Sequence, residues 1–183
     1  QLGRAAGVRD ERANLLVDDT VLLWGFLRAR HPRQVAILTD NAGTELLMDL
    51  ALADYLLRAE LVGGIYLHLK PQPFFVSDAM PQDVMAGLQA LEAGDGLARK
   101  LAARLRAHLA QRRLHLYAHW HYTTSLFFFQ LPDGLRNTLG GMDLVVIKGD
   151  AHYRRLLGDA RWPTTTSLAV ATSYFPAPFV ALR

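Results

Sequence analysis

Residues 34–43 read QVAILTDNAG, and the fold follows from how that stretch is read. Gln34 to Thr39 is a short, β-branched and mostly apolar run of the kind that forms a strand buried on both faces. It ends on Asp40-Asn41-Ala42-Gly43. Thr44 to Arg58 then carries Leu46, Leu47, Leu50, Ala51, Tyr55 and Leu57 in a helical pattern, with Gly63-Gly64 as the stop. Strand, turn and helix form one unit.

Working outward, the same unit recurs. Ile65 to Lys70 (IYLHLK) predicts a second strand, and Phe74 to Val76 a short extended piece that delivers Ser77-Asp78 after the stiff link Pro71-Gln72-Pro73. Met80 to Leu91 and Gly96 to Arg113 are helical by composition and period. Leu114 to Ala118 predicts another strand, and Tyr122 to Pro132 an aromatic-rich loop or short helix. Leu144 to Ile147 (LVVI) is a buried strand that ends on Lys148-Gly149-Asp150 and runs into a helical Tyr153 to Leu157. A last strand, Phe179 to Leu182, follows Pro176-Ala177-Pro178. Upstream, Asp10 to Arg30 predicts a helix closed by Pro32. Strands alternating with helices imply a mostly parallel sheet in an α/β layered domain.

The chain has 183 residues, enough for one domain with a substantial core, and its 51% hydrophobic content excludes a disordered tail. No apolar run reaches the roughly 18 to 20 residues that span a bilayer, and no signal-peptide zoning precedes the first element. The expectation is a cytoplasmic protein. Without cysteine, disulfides, thiolate metal sites and a cysteine nucleophile are excluded, so any metal must be held by oxygen or imidazole. The net charge of +3 suits an anionic small substrate as well as nucleic acid. The arginines around the stripe Leu97, Leu101, Leu105 and Leu109 read as a solvated helix face rather than a nucleic-acid or membrane surface, because no aromatics interleave with them. Lysine is scarce: Lys70, Lys100 and Lys148 are the full set, and two of them lie in strand-end segments.

Three runs end in an aspartate: ILTD at Asp40, FFVSD at Asp78 and VVIKGD at Asp150. In open α/β sheets ligands bind beyond the carboxyl ends of the strands, so these aspartates are expected to converge on one pocket. Two carboxylates and the Asn41 amide oxygen suit a hard cation such as magnesium or manganese, leaving positions for water and phosphate oxygens. Any one strand-end aspartate is equally a helix cap or turn residue. Gly43 and Gly149 allow backbone to approach an anion. Lys148 is placed to neutralise a phosphate oxygen, and Tyr153, Arg154 and Arg155 follow in the first helical turns after Asp150. A competing metal signal is His115, His119 and His121, which strand alternation would put on one face as zinc ligands. No Gly-x-Ser-x-Gly elbow, Gly-x-x-x-x-Gly-Lys loop or Gly-x-Gly-x-x-Gly turn is present in the sequence.

Five stretches carry a resemblance: LLVDDT (15–20), DNAGTELLMDLALADYLL (40–57), HLKPQPFFVSDAMPQDV (68–84), DLVVIKGDAHYRRLLGD (143–159) and FPAPFVALR (175–183). Together they resemble the damage-control phosphatase family built on the domain of unknown function 89, in its acidic-residue-methyltransferase-like branch. The resemblance implies a three-layer α/β/α Rossmann-like fold with a mostly parallel sheet. It also implies a divalent-metal-dependent phosphatase acting on small phosphorylated metabolites such as fructose phosphates, with manganese, nickel, cobalt or magnesium as the metal. By the same resemblance the metal ligands and catalytic residues map onto Asp40, Asn41 and Asp78. The substrate-binding stretch maps onto Asp150, Ala151, His152, Tyr153 and Arg154.

Glu45 falls where a methyltransferase reading of the family places a contact to S-adenosylmethionine. A carboxyl methyltransferase and a truncated, non-catalytic fold are therefore the rival expectations. The family usually has asparagine where His152 stands and tryptophan where Phe74 stands, which bears on substrate preference. It also carries a helical region ahead of the position of Gln1 and a substrate-binding lysine beyond that of Arg183. The chain is thus expected to be a single catalytic α/β domain, residues 1–183, and a fragment of a longer one.

Overall fold

The computed structural model describes Leu15 and residues 17–183. By its internal contacts the chain divides into two compact units, residues 1–30 and 31–183. In the first, helix α1 (Thr20–Arg30) begins where the Asp18 carboxylate accepts a hydrogen bond from the Thr20 amide at 3.0 Å. Leu15 and residues 17–19 lie outside any helix, and the remainder of the helix expected from Asp10 falls outside the described residues.

The second unit is built on β1 (Gln34–Leu38), whose residues after Gln34 are fully buried, as a strand covered on both faces requires. Helix α2 (Thr44–Arg58) follows, then β2 (Gly64–Leu69), α3 (Pro81–Ala93), α4 (Gly96–Ala110), β3 (Leu114–Ala118), α5 (Asp133–Gly140), β4 (Leu144–Lys148), α6 (Gly149–Leu157), the short α7 (Leu168–Ala171) and β5 (Phe179–Leu182). All strand pairs are parallel, and the sheet runs β3-β2-β1-β4-β5. With right-handed crossovers, the helices that lead from β1 out to β3 and those that lead from β4 out to β5 cover opposite faces. The result is the expected three-layer Rossmann-like arrangement.

One face is filled by Ala36, Leu38, Val145 and Ile147 from the sheet, Leu135 and Leu139 from α5, Leu156 from α6, and Tyr122, Phe128 and Phe175. By strand alternation Val35, Ile37, Ile65, Leu67 and Val146 point the other way, toward the layer of α2, α3 and α4. That layer is tied by Arg104, whose guanidinium grips both oxygens of the buried Asp54 at 2.8 to 3.0 Å. Arg106 pairs with Glu92 in the same layer, so two of the arginines of this basic helix answer carboxylates of their own fold.

Several expectations need correction. Phe74 to Val76 is not extended: the chain turns there because the Asp78 carboxylate accepts hydrogen bonds from the amides of Phe74 and Phe75 at 2.7 and 2.6 Å. Helix α4 stops at Ala110, short of Arg113, and Arg112 takes a left-handed φ of 55° just beyond it. The aromatic segment forms two short 3-10 turns, Trp120–Thr123 and Phe128–Gln130, and α5 and α7 are additional helices.

The three histidines do not share a strand face. His115 stacks on Tyr66 from β3, with ring centroids 4.3 Å apart, whereas His119 and His121 lie beyond the end of the strand. There the His119 ring nitrogen caps a turn by accepting the His121 amide, and His121 is buried beside Phe128. Among the described residues no three His, Cys, Asp or Glu side chains gather as a metal cage.

Candidate functional site

The sheet order reverses between β1 and β4, which run outward to β2-β3 on one side and β5 on the other. A crevice opens at such a switch point, beyond the carboxyl ends of the two strands. Asp40-Asn41 leaves β1 there and Lys148-Gly149 ends β4 there. The two segments touch: a Cβ on Gly149 would lie 1.9 Å from the Asp40 Oδ2 atom, and Gly149 adopts a φ of +78° that favours glycine.

Asp78 arrives from the loop after β2. The Ala42 amide donates to the Ser77 carbonyl at 2.7 Å, the Ala79 amide to the Asp40 carbonyl at 3.0 Å and the Lys70 amide to the Ala79 carbonyl at 3.0 Å. Asn41 and Asp78 thereby form an isolated antiparallel bridge. The Ser77 hydroxyl also donates to the Asn41 side-chain oxygen at 2.6 Å. Asp40, Asn41 and Asp78, singled out from sequence as one set, are therefore brought to one place.

Lys70 lies at their centre, and no role had been assigned to it. It is 3% exposed, makes a close salt bridge to Asp78 and lies 3.6 Å from Asp40 Oδ1. Burial works against the Asp78 charge, but the Lys70 bridge and the two amides of the turn outweigh it, and the carboxyl sits below its ordinary range. Asp40 goes the other way. Burial raises its pKa most, Glu45 and Asp78 add to the rise, and Lys70 offsets only part. Its partners are weak, the 3.6 Å contact to Lys70 and a 3.2 Å hydrogen bond from the Asn41 amide group.

Glu45 and Asp49, one turn apart on α2, both face Lys148, whose ammonium donates to Glu45 at 3.0 Å and Asp49 at 2.5 Å. Burial opposes that ammonium, yet the bonds to Asp49 and Glu45 prevail and raise its pKa. Glu45 also accepts from Asn41 at 2.9 Å, so a continuous chain of contacts joins Asp78, Lys70, Asp40, Asn41, Glu45, Lys148 and Asp49. The remaining candidates are held separately. Asp150 pairs with Arg183 at 2.7 Å, and the Arg183 guanidinium lies over Tyr153. Arg154 pairs with Asp159 at 2.7 Å, and Tyr153, Arg154 and Arg183 line an open depression of about 250 Å³. His152 is buried, its Nε2 3.1 Å from the Thr39 carbonyl, and its pKa is pushed down to about 3 by burial.

The residues fit a hard divalent cation. Asp40 and Asp78 offer carboxylate oxygens and Asn41 an amide oxygen now held by Ser77, and Asp40 is a mostly buried carboxylate whose charge is under-compensated, the state that a cation relieves. Two carboxylates with open positions for water and phosphate oxygens is the usual way such an ion is bound.

A Rossmann-like domain with an acidic, lysine-bridged side-chain cluster at its switch point defines the class. Residues 3–183 match the model of the damage-control phosphatase ARMT1-like domain, and the chain belongs to that family. It is 33% identical to the damage-control phosphatase ARMT1 of Danio rerio over an alignment covering 92% of this chain and 41% of that protein. The protein of the same name from Rattus norvegicus is 33% identical over 96% of this chain and 43% of its own length. The one from Homo sapiens is 28% identical over the same shares. The chain thus spans about two fifths of the curated relatives it matches. Among the described residues no helix is long and apolar enough to cross a membrane.

Proposed function

We propose that this chain carries the metal-binding pocket of a cytoplasmic, divalent-metal-dependent phosphatase that hydrolyses small phosphorylated metabolites such as fructose phosphates. The observation that carries it is Asp40: a nearly buried, poorly compensated carboxylate at the switch point, joined by a backbone bridge to the loop that brings Asp78. Membership of a family whose members are named damage-control phosphatases supports the reaction class.

Asp40, Asn41 and Asp78 would hold manganese, nickel, cobalt or magnesium, which supplies Lewis-acid polarisation of a phosphoryl oxygen and a water of lowered pKa. Lys70 keeps Asp78 ionised, and a cation would share or take over the oxygen that Lys70 now holds. Lys148, balanced by Glu45 and Asp49, fixes the start of α6, where Gly149 leaves the Asp40 carboxylate uncrowded. Ser77 orients the Asn41 amide by donating to its oxygen, while the amide's nitrogen faces Asp40 and Glu45.

The test is a phosphate-release screen over sugar phosphates, with and without manganese, nickel, cobalt or magnesium, run beside Asp40→Ala. Metal-dependent release that the substitution abolishes is expected. Turnover that survives Asp40→Ala would put the chemistry elsewhere, and tight S-adenosylmethionine binding with no metal-dependent release would favour a methyltransferase.

A further inference from the structure

At the carboxyl ends of β2, β4 and β5 stand Lys70, Lys148, Arg154, Arg155 and Arg183, with the exposed Arg161 further along the chain after α6. Four are neutralised. Lys70 is bound to Asp78 and Asp40, Lys148 to Glu45 and Asp49, Arg154 to Asp159 and Arg183 to Asp150. Each of these four already has a carboxylate partner.

Arg155 differs. Three residues after the buried His152, it lies on the inward face of α6, where Arg154 faces out. It is 8% exposed and forms no ion pair among the described residues. One guanidinium nitrogen, Nη1, donates to the Tyr122 carbonyl at 3.2 Å, and the other, Nη2, is buried with no hydrogen-bond partner. A buried guanidinium with one weak bond and no carboxylate in direct contact is costly to keep, and such a group marks a place where an anion belongs.

Its surroundings point the same way. Burial lowers the Arg155 pKa, and the nearby charge of Asp78 partly offsets this, so the guanidinium lies within electrostatic reach of the candidate metal-binding carboxylate. Two buried histidines also near it, His121 and His152, are held neutral, with pKa values of about 4 and about 3, and supply no countercharge. Over it sits the Phe74 ring, 5.8 Å from the guanidinium carbon, on the same turn whose amides hold Asp78. Phe74, Phe75 and Val76 are all exposed, so that ring lies at the surface and only part of it is buried.

We propose that Arg155 is the phosphoryl anchor of the pocket: its unpartnered Nη2 donates to a phosphate oxygen of substrate or product once the Phe74 ring that covers it moves aside. The identity of the anion rests on the phosphatase reading above. The unpaired guanidinium and its aromatic cover do not.

The experiment uses inorganic phosphate as the probe and compares the unaltered chain with Arg155→Lys and Arg155→Gln, each checked for folding by circular dichroism. In Arg155→Gln, the phosphate Kd by calorimetry and the substrate KM are expected to rise about tenfold or more, with kcat changed less, and Arg155→Lys is expected to recover part of the loss. A folded Arg155→Gln chain with unchanged phosphate affinity and KM would overturn the proposal.

Should Arg155→Gln fail to fold, phenylglyoxal labelling of Phe74→Ala, read by peptide mass spectrometry, decides. Labelling of Arg155 that phosphate suppresses is expected, and labelling indifferent to phosphate would overturn the proposal. The two readings separate cleanly. Arg155-dependent phosphate binding without turnover of any phosphoester would sink the phosphatase and leave the anchor standing. Turnover indifferent to Arg155 would do the reverse.

Discussion

Gly149 and Asp40 are packed so closely that residue 149 has no room for a side chain: a Cβ there would lie 1.9 Å from the Asp40 Oδ2, 2.3 Å from its Cγ and 2.7 Å from its Cβ. The last of these is not the tip of a flexible chain, so the Asp40 side chain as a whole would have to shift. Gly149→Ala also forces a non-glycine residue to a φ of +78°, a strain of about 1–3 kcal/mol. The expected result is a modest fall in the urea midpoint together with a loss of metal-dependent phosphate release on the order of a hundredfold, since an ångström of misplacement suffices for that. Full activity in this variant would show that Asp40 has no part in the reaction.

Lys70 offers a second test. Lys70→Met keeps the length of the side chain but leaves Asp78 and Asp40 without their shared ammonium in a buried setting. Removing one partner of a buried pair costs about 3–5 kcal/mol. A cation held by the same two carboxylates would restore part of that, about 2.7 kcal/mol at a concentration a hundredfold above its Kd. Urea unfolding with and without manganese measures both. Destabilisation with no recovery at any manganese concentration would argue against a metal between Asp40 and Asp78.

Acid sensitivity should trace to buried histidines rather than to carboxylates. His68 and His152 are held at pKa values of about 3 and His121 at about 4, in each case chiefly by burial. Folded pKa values below the ordinary 6.5 mean that the unfolded chain binds these protons first. The stability is present above about pH 6.5 and declines as pH falls toward 4, by up to about 1.4 kcal/mol per pH unit per group. Thermal midpoints between pH 7 and 4 test this, and His121→Phe, which keeps a ring beside Phe128, should flatten the slope. An unchanged slope would remove His121 from the account.

A control lies far from the pocket. The Asp95 carboxylate caps α4 by accepting from the amides of Leu97 and Ala98, both at 3.0 Å. Asp95→Ala should cost about 1 kcal/mol of stability by chemical denaturation and leave phosphate release unaltered. A change in turnover would show that α4 communicates with the site.

The parts of this fold legible in the sequence are those where one residue type answers one physical demand. QVAIL and LVVI are almost wholly apolar, as central strands are, and Asp40 and Lys148-Gly149 lie at their carboxyl ends. The Asp78 turn was not legible because its shape is imposed by a side chain folding back on its own amides, which the apolar Phe74-Phe75-Val76 conceals. Helix α5 has only Leu135 and Leu139 on its buried face, too short a stripe to stand out, although Pro132 before it and Gly140-Gly141 at its end were usable signals.

At the site, the run-ending aspartates grouped Asp40 and Asp78 with Asp150, which pairs with Arg183 instead, and the set of Asp40, Asn41 and Asp78 rested on the family resemblance. Lys70 could not be placed, since nothing in HLKPQP says that the loop doubles back across it. Arg154 drew attention where Arg155 is the buried residue. Helical spacing from His152 was the available clue, and it becomes decisive only once His152 is known to face inward.

The pairing of β1 with β4 has a consequence for how the protein is made. Asp40 leaves the ribosome more than a hundred residues before Gly149, and the β1 edge that β4 will cover stays open throughout that interval. Closing so distant a pairing is slow compared with local helix formation, and an exposed central edge invites association with other chains. Translation speed and chaperone occupancy across residues 40–149 should therefore govern the yield of active molecules more strongly than the thermodynamic stability of the finished domain.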